Sequence, residues 1–204
     1  SYTEFTQEFT SIEDNGYDIT AKVKVTNTGD AAGKEVVQLY YNAPYTELDE
    51  QYQIEKPVVN LVAYDKTEVL EPGESQEVTL NFTWDDLSSY CYTHENADGT
   101  TGCYMLEAGD YTISLRNNSH DLIEEKTVTK ADTIWYDGSD EAHIRQTEKD
   151  AQSEMNADGT LTGEKADGSD FVAATNEFQT SSNYMNQVST ILSRSDWAGT
   201  APVG

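Results

Sequence analysis

Residues 19–40, ITAKVKVTNTGDAAGKEVVQLY, indicate the fold class of this chain. Apolar and polar residues alternate from 19 to 26, and this period of two is typical of a strand with one buried face. Asn27, Gly29 and Asp30 supply the backbone freedom and side-chain capping that a tight turn needs. The apolar run at 36–41 follows and predicts a central strand covered on both faces. Together these features predict two strands joined by a polar turn.

The same kind of pattern continues to about residue 130. Apolar residues alternate with polar ones from Val78 to Trp84, and Pro72-Gly73 and Gly109-Asp110 mark turns. Short strands with turn signals about every ten residues predict an all-β antiparallel sandwich over residues 1–130. We expect its single core to contain Val25, Leu39, Leu80, Phe82, Tyr111 and Ile113.

The composition changes in the last third of the chain. Residues 131–170 are acidic and rich in Gly and Asp, and they predict a linker. Residues 171–204 regain large apolar side chains but are too short to form a core of their own. They predict a mostly irregular, extended arm, with one short helix near 182–192, that docks on a neighbouring surface.

The charge balance excludes several classes of partner. The chain has 38 Asp and Glu against 12 Lys and Arg, a net charge of −26. Such a surface repels phosphate backbones and anionic lipids, so we predict neither a nucleic-acid partner nor a membrane partner. No apolar run reaches the roughly 18 residues of a membrane span. The chain shows no initiator Met or signal peptide, so we expect an excised internal fragment, from either a cytoplasmic or a secreted protein.

The two cysteines flank a predicted hairpin. Cys91 and Cys103 lie on either side of residues 96–100, NADGT, and Asp-Gly is a hairpin signal. If the two arms pair, the sulfurs come within bridging distance. A disulfide in an oxidising compartment and two reduced structural thiols both remain open.

Four segments carry a family resemblance. Residues 23–40, 56–67, 70–76 and 106–113 resemble, in order and spacing, the fibronectin type III-like domain of family 3 glycoside hydrolases, the β-glucosidase and β-xylosidase family. The resemblance implies an immunoglobulin or fibronectin III-like β-sandwich that is a non-catalytic accessory domain. It also implies that the whole enzyme is a retaining β-glucosidase-like hydrolase of terminal β-linked sugars, with two acidic catalytic residues and no cofactor.

The tail extends this resemblance. Residues 174–178 and 192–202 look like the segment that leads into the (β/α)8 barrel in family members with reordered domains. The resemblance therefore implies that 171–204 enters a catalytic barrel absent from this chain. The implied partners are this barrel and an α/β domain of the same enzyme, and the carbohydrate substrate is met only through the whole enzyme.

Sequence motifs that suggest chemistry have simpler interpretations here. Ser195-Asp196-Trp197 resembles the context of the family's nucleophile, but a Gly- and Val-rich strand should precede it, and residues 191–194 are ILSR. We therefore predict a structural carboxylate at Asp196 and no catalytic residue in this chain. Three Asp-Gly segments, at 96–100, 156–160 and 166–170, resemble fragments of calcium loops. They lack the closing bidentate acid, and together with the scattered histidines they predict no metal site.

A polar loop at 45–56 offers the one candidate contact with substrate. Tyr45 and Tyr52 are candidates for the rim of the enzyme's active site, because aromatic faces stack on sugar rings. Two alternatives remain open. One is a stand-alone immunoglobulin-like carbohydrate-binding or adhesion module, and the other is a calcium-stabilised wall module.

Overall fold

The computed structural model describes residues 3–153, together with residues 155 and 157. Its elements are β1 (Phe5–Asp14), β2 (Asp18–Asn27), β3 (Val36–Asn42), α1 (Glu47–Tyr52), β4 (Asn60–Lys66), β5 (Ser75–Thr83), β6 (Ser89–Glu95), β7 (Thr101–Leu106), β8 (Gly109–Arg116), β9 (Leu122–Lys130), β10 (Ile134–Trp135) and α2 (Gln146–Ser153). Two 3-10 turns, at Trp84–Leu87 and Glu141–His143, complete the described elements.

Two antiparallel sheets share one core. One sheet has the strand order β1-β2-β5, and the other has the order β4-β3-β8-β9. A third, smaller sheet has the order β10-β7-β6, and its β6–β7 hairpin lies in the connection between β5 and β8. The prediction of an all-β antiparallel sandwich is therefore confirmed. The predicted arm at 171–204, with its helix at 182–192, lies outside the described residues.

The alternating face of β2 is the core face, as its period of two predicts. Ile19, Ala21, Val23 and Val25 are each 0% exposed. All six residues predicted for the core belong to one buried cluster, which confirms that prediction. Trp84 packs edge-on against Tyr111 in the same cluster, with ring centroids 5.2 Å apart.

Three outer strands each carry one residue more than the strand they pair with. The extra residues are Thr10 in β1, Val62 in β4 and Ile123 in β9. Each is a β-bulge, which bends the strand and interrupts its hydrogen-bond ladder.

A tyrosine corner fixes the start of β8. The Tyr111 hydroxyl donates to the carbonyl oxygen of Glu107, four residues upstream, at 3.0 Å. β-sandwich domains use this arrangement to fix a strand connection. It also fixes the backbone of Glu107.

The structure corrects two sequence predictions of irregular chain. The polar loop at 45–56 contains α1. Within the predicted linker at 131–170, β10 pairs with β7, and the Thr147 amide donates to the buried carboxylate of Asp85 at 3.2 Å. Two rings explain the difference. Tyr136 packs on the main core, and Trp135 packs on a smaller cluster that contains Cys91 and Met105 of the third sheet. Whether the chain divides into sandwich, linker and arm beyond the described residues stays a prediction.

Candidate functional site

The connection between β3 and β4, residues 43–59, begins its helix with a capping box. The Thr46 hydroxyl accepts from the Leu48 amide at 3.2 Å, and the Thr46 amide donates to Asp49 Oδ2 at 2.8 Å. These bonds satisfy backbone groups that the first turn of a helix leaves unpaired. Gln53 ends α1 in the left-handed conformation, with φ 56°. The sequence signal was present, since Thr46-Glu47-Leu48-Asp49 fits the capping-box pattern.

Three charged side chains meet beneath this loop. Lys56 Nζ lies 2.5 Å from Glu107 Oε2 and 2.7 Å from Asp49 Oδ1. The contact with Asp49 is an ion pair that lacks the geometry of a hydrogen bond. The side chains of Lys56, Asp49 and Glu107 are 5%, 0% and 3% exposed, respectively. We call Asp49, Lys56 and Glu107 the buried ion cluster. Charged groups at this depth need partners, because an unpaired buried charge costs several kcal/mol (about 3–5).

The buried ion cluster ties the loop to the start of β8. Lys56 Nζ also donates to the Pro44 carbonyl at 2.7 Å, and the Thr46 hydroxyl donates to Glu107 Oε1. Glu107 belongs to the tyrosine corner through its backbone, so the loop is fastened to a fixed point of the sandwich. Sequence analysis missed the cluster because its three members come from separate polar segments.

The structure separates the two predicted rim residues. Tyr45 is 60% exposed. Tyr52 instead packs with Trp135, at a centroid distance of 4.8 Å, and with His94, at 6.0 Å. Of the two, Tyr45 has the ring available to a ligand. That either residue reaches an active site stays a prediction.

A groove of ≈ 540 Å³ lies beside Tyr45. It is lined by Tyr45, Glu50, Gln53, Glu55 and Tyr92, with the buried Asp49 and Ile54 beneath, and we call it the tyrosine groove. Tyr92 is 78% exposed and was not singled out from the sequence. Its signal is the alternation in β6, which places Tyr92 on the face opposite the buried Cys91.

An aromatic stack supports the β6 side of this region. The rings of His94 and Trp135 are parallel within 6°, with centroids 4.1 Å apart. His94 Nε2 lies 3.5 Å from Asp137 Oδ2. Hydrogen bonding, first from Ser139, lowers the pKa of the Asp137 carboxyl, and His94 acts in the same direction. His94 is therefore a packing residue that joins β6 to the chain after β10.

The two cysteines lie directly opposite each other in the β6–β7 pair. Cys91 and Cys103 are register partners, both buried, and both thiols are free. Burial, and then the neighbouring Cys91, raises the pKa of the Cys103 thiol to about 11. Paired cross-strand Cα atoms are about 4.5–5.5 Å apart, within the about 4.4–6.8 Å that a disulfide spans. A bridge between them stays a prediction.

The remaining motifs give no further site in the described part of the chain. Asp98 Oδ1 accepts from the Thr100 amide at 3.0 Å, which is a local turn. Among residues 3–153, 155 and 157, no group of three or more His, Cys, Asp or Glu is placed to hold a metal ion. No helix in the described part is long and apolar enough to cross a membrane. Asp196 and the Asp-Gly segment at 166–170 lie outside the described residues, as does Asp158-Gly159.

Comparison with known proteins gives one family and one kind of relative. Residues 35–119 match the fibronectin type III-like domain. The chain is 41% identical over 103 residues to beta-glucosidase A of Butyrivibrio fibrisolvens, covering 50% of this chain and 11% of that protein. It is 31% identical over 139 residues to the beta-glucosidase of Kluyveromyces marxianus, covering 68% and 15%.

The similar solved structures that we compared are also beta-glucosidases. A beta-glucosidase from Paenibacillus barengoltzii superposes with a TM-score of 0.54 at 35% identity, over 65% of this chain and 14% of the other. Beta-glucosidase 3B from Thermotoga neapolitana, in complex with α-D-glucose, superposes with a TM-score of 0.53 at 31% identity, over 65% and 16%. The chain thus spans only about a tenth to a sixth of the proteins it matches.

Proposed function

Residues 35–119 belong to the fibronectin type III-like domains, in the form that β-glucosidases carry, and from this premise we propose that the chain is a non-catalytic accessory segment of a family 3 glycoside hydrolase. The whole enzyme hydrolyses terminal β-linked sugars with retention of configuration and needs no cofactor. Its two catalytic acids lie in other domains.

One observation carries this proposal. The sandwich aligns over 65% of this chain with β-glucosidase structures, yet it accounts for only 14% or 16% of their length. The larger part of each of those proteins lies outside the aligned region. We therefore assign catalysis to a barrel and an α/β domain that pack beside this sandwich, and we assign stability and domain packing to the sandwich itself.

The loop braced by the buried ion cluster gives this accessory segment a second role. Tyr45 stands exposed on a fastened loop, so it can contribute to the rim of an active site formed by a neighbouring domain. Tyr52, at the end of α1, packs against Trp135 and so helps to hold the same loop in place.

Hydrolysis assays test the proposal. We expect the 204-residue chain alone to show no turnover of aryl β-glucosides, and we expect the longer protein that contains it to be active. Turnover by the chain alone that disappears in Asp196→Asn would overturn the non-catalytic assignment. An inactive longer protein, correctly folded, would overturn the assignment to a glycosidase.

A stand-alone carbohydrate-binding or adhesion module is the second candidate. The exposed rings of Tyr45 and Tyr92 favour it, since binding modules present aromatic side chains to solvent. The activity of the longer protein separates the two candidates, because an adhesion module would have none.

A further inference from the structure

The tyrosine groove combines planar aromatic rings with hydrogen-bonding groups. Tyr45 and Tyr92 are 60% and 78% exposed. Glu50, Gln53 and Glu55 line the same groove and supply two carboxylates and one amide. Its volume of ≈ 540 Å³ falls within the about 300–1,000 Å³ of small-molecule clefts. Tyrosine rings provide a large, amphipathic contact area with little conformational entropy to lose.

The backbone on both sides of Tyr45 is held in place. The preceding Pro44 accepts from Lys56 through its carbonyl, and the following Thr46 donates to Glu107 through its hydroxyl. Asp49, which lies at the base of the groove, is 0% exposed and pairs with the same Lys56. A loop held in this way loses little conformational entropy when a ligand binds. Weak contacts to its exposed side chains can therefore be enough for binding.

The charges around the groove select against ionic ligands of one sign. Glu50 and Glu55 contribute carboxylates that no cation of the groove neutralises, whereas the buried Asp49 is paired with Lys56, and none of the described lining residues is Lys or Arg. An anion would be repelled. Among the described residues no metal-binding group of three is present, so a bound metal ion does not account for the carboxylates. A neutral ligand with apolar ring faces and several hydroxyl groups matches both the aromatic and the polar parts.

We infer that the tyrosine groove binds a neutral oligosaccharide of β-linked glucose units. The sugar rings stack on the faces of Tyr45 and Tyr92. The sugar hydroxyl groups form hydrogen bonds with Glu50, Gln53 and Glu55. The choice of glucose rests on the proposed function, whereas the choice of a neutral sugar rests on the groove itself.

Calorimetric titration of the 204-residue chain with cellopentaose tests this inference. We expect a dissociation constant on the order of 1 mM or tighter. Because the ligand is uncharged, raising NaCl from about 0.1 M to about 1 M should leave the constant unchanged. Tyr45→Ala and Tyr92→Ala should each weaken binding at least about tenfold, while Tyr92→Phe, which keeps the ring, should retain it.

Tyr64→Ala is the matched control. Tyr64 is 68% exposed on β4 and lies outside the groove, so its removal should not change binding. Absence of cellopentaose binding by the folded wild-type chain would overturn the inference, as would equal losses in Tyr64→Ala and Tyr92→Ala. Binding of cellopentaose that disappears in high salt would show that ring stacking and hydroxyl hydrogen bonds do not hold the uncharged sugar, and would also overturn it. These measurements do not involve hydrolysis. The inference about the groove can therefore be wrong while the proposed function is right, and the reverse.

Discussion

Lys56 Nζ lies 2.5 Å from Glu107 Oε2, although the two residues are separated by four strands and both side chains are almost fully buried. Asp49 adds a second carboxylate to the same ammonium. Burying three charges costs desolvation energy that ion pairing only partly recovers. We interpret the cluster as a device that fixes the position of a surface loop, since a well-packed apolar trio could supply equal stability.

Removing the ammonium should be strongly destabilising. Lys56→Met leaves two buried carboxylates without their cation, so we expect a loss of about 3–5 kcal/mol in the free energy of unfolding. Urea denaturation with an unchanged m-value measures this loss. Lys34→Met is the matched control, because the Lys34–Glu68 pair is 3.6 Å apart with side chains 51% and 85% exposed. A loss below about 1 kcal/mol is expected there, and equal losses in the two variants would contradict the role of the cluster.

Phe82→Ala should expose how tightly the core is packed. Phe82 is 3% exposed and lies in the main cluster, so we expect a cost of about 3–5 kcal/mol from lost transfer energy and a residual cavity. Tyr64→Ala, an aromatic truncation at a position 68% exposed, should change stability by about 0.5 kcal/mol or less. Guanidinium unfolding of both variants provides the comparison. A Phe82 variant that loses under about 1 kcal/mol would show that the face of β5 carrying it is not essential to the core.

The Cys103 thiol should make stability depend on alkaline pH. Burial raises its pKa from 9.0 to about 11, so the folded protein keeps a proton that the unfolded chain releases. Its contribution is therefore complete below pH 9 and is lost as the pH rises to about 11. We expect Cys103→Ala, kept under reducing conditions, to lose less stability than wild type across this window. Parallel thermal melts from pH 8 to pH 11 would contradict the assignment.

The state of the two cysteines can be measured directly. If the protein is exported, we expect Cys91 and Cys103 to be bridged, adding about 2–3 kcal/mol by closing a short loop. Thiol titration of the unfolded, unreduced protein gives the answer, and reduction followed by a second titration is its control. Two free thiols before reduction would favour a reducing compartment.

Asp85 should hold α2 on the sandwich. Its carboxylate is 5% exposed and accepts from the Thr147 amide at 3.2 Å and from the Tyr17 hydroxyl at 3.3 Å. A hydrogen bond to a charged group contributes about 1.5–3 kcal/mol, so we expect amide exchange in α2 to accelerate roughly 10-fold to 100-fold in Asp85→Ala.

The neighbouring Asp86 provides the control for this variant. Its carboxylate accepts from the Thr83 amide at 2.8 Å and caps the 3-10 turn instead. Asp86→Ala should leave exchange in α2 unchanged. Limited proteolysis adds a second measurement, because cleavage within α2 should be faster in Asp85→Ala than in wild type. The same α2 exchange rates in both variants would rule out the anchoring role of Asp85.

The sandwich could be predicted because its signals are local. Alternation along β2 and β5, and the turn residues between strands, are written in consecutive positions, and burial follows from them. The buried ion cluster could not be predicted in this way, because Asp49, Lys56 and Glu107 meet only when the loop folds over the start of β8. The packing of residues 134–153 could not be predicted either, because the acidic composition of this segment does not reveal where the rings of Trp135 and Tyr136 dock.

The bulges in the outer strands bear on how copies of this chain behave when they meet. A regular edge strand offers a continuous row of free amide and carbonyl groups, which another chain can extend into a fibre. Thr10, Val62 and Ile123 break that row on β1, β4 and β9. Among the outer strands of the two main sheets in the described residues, only β5 pairs in unbroken register, and its outward positions carry Glu77, Thr79 and Asn81. Self-association through strand addition is therefore disfavoured at three edges by shape and at the fourth by an acidic, polar face.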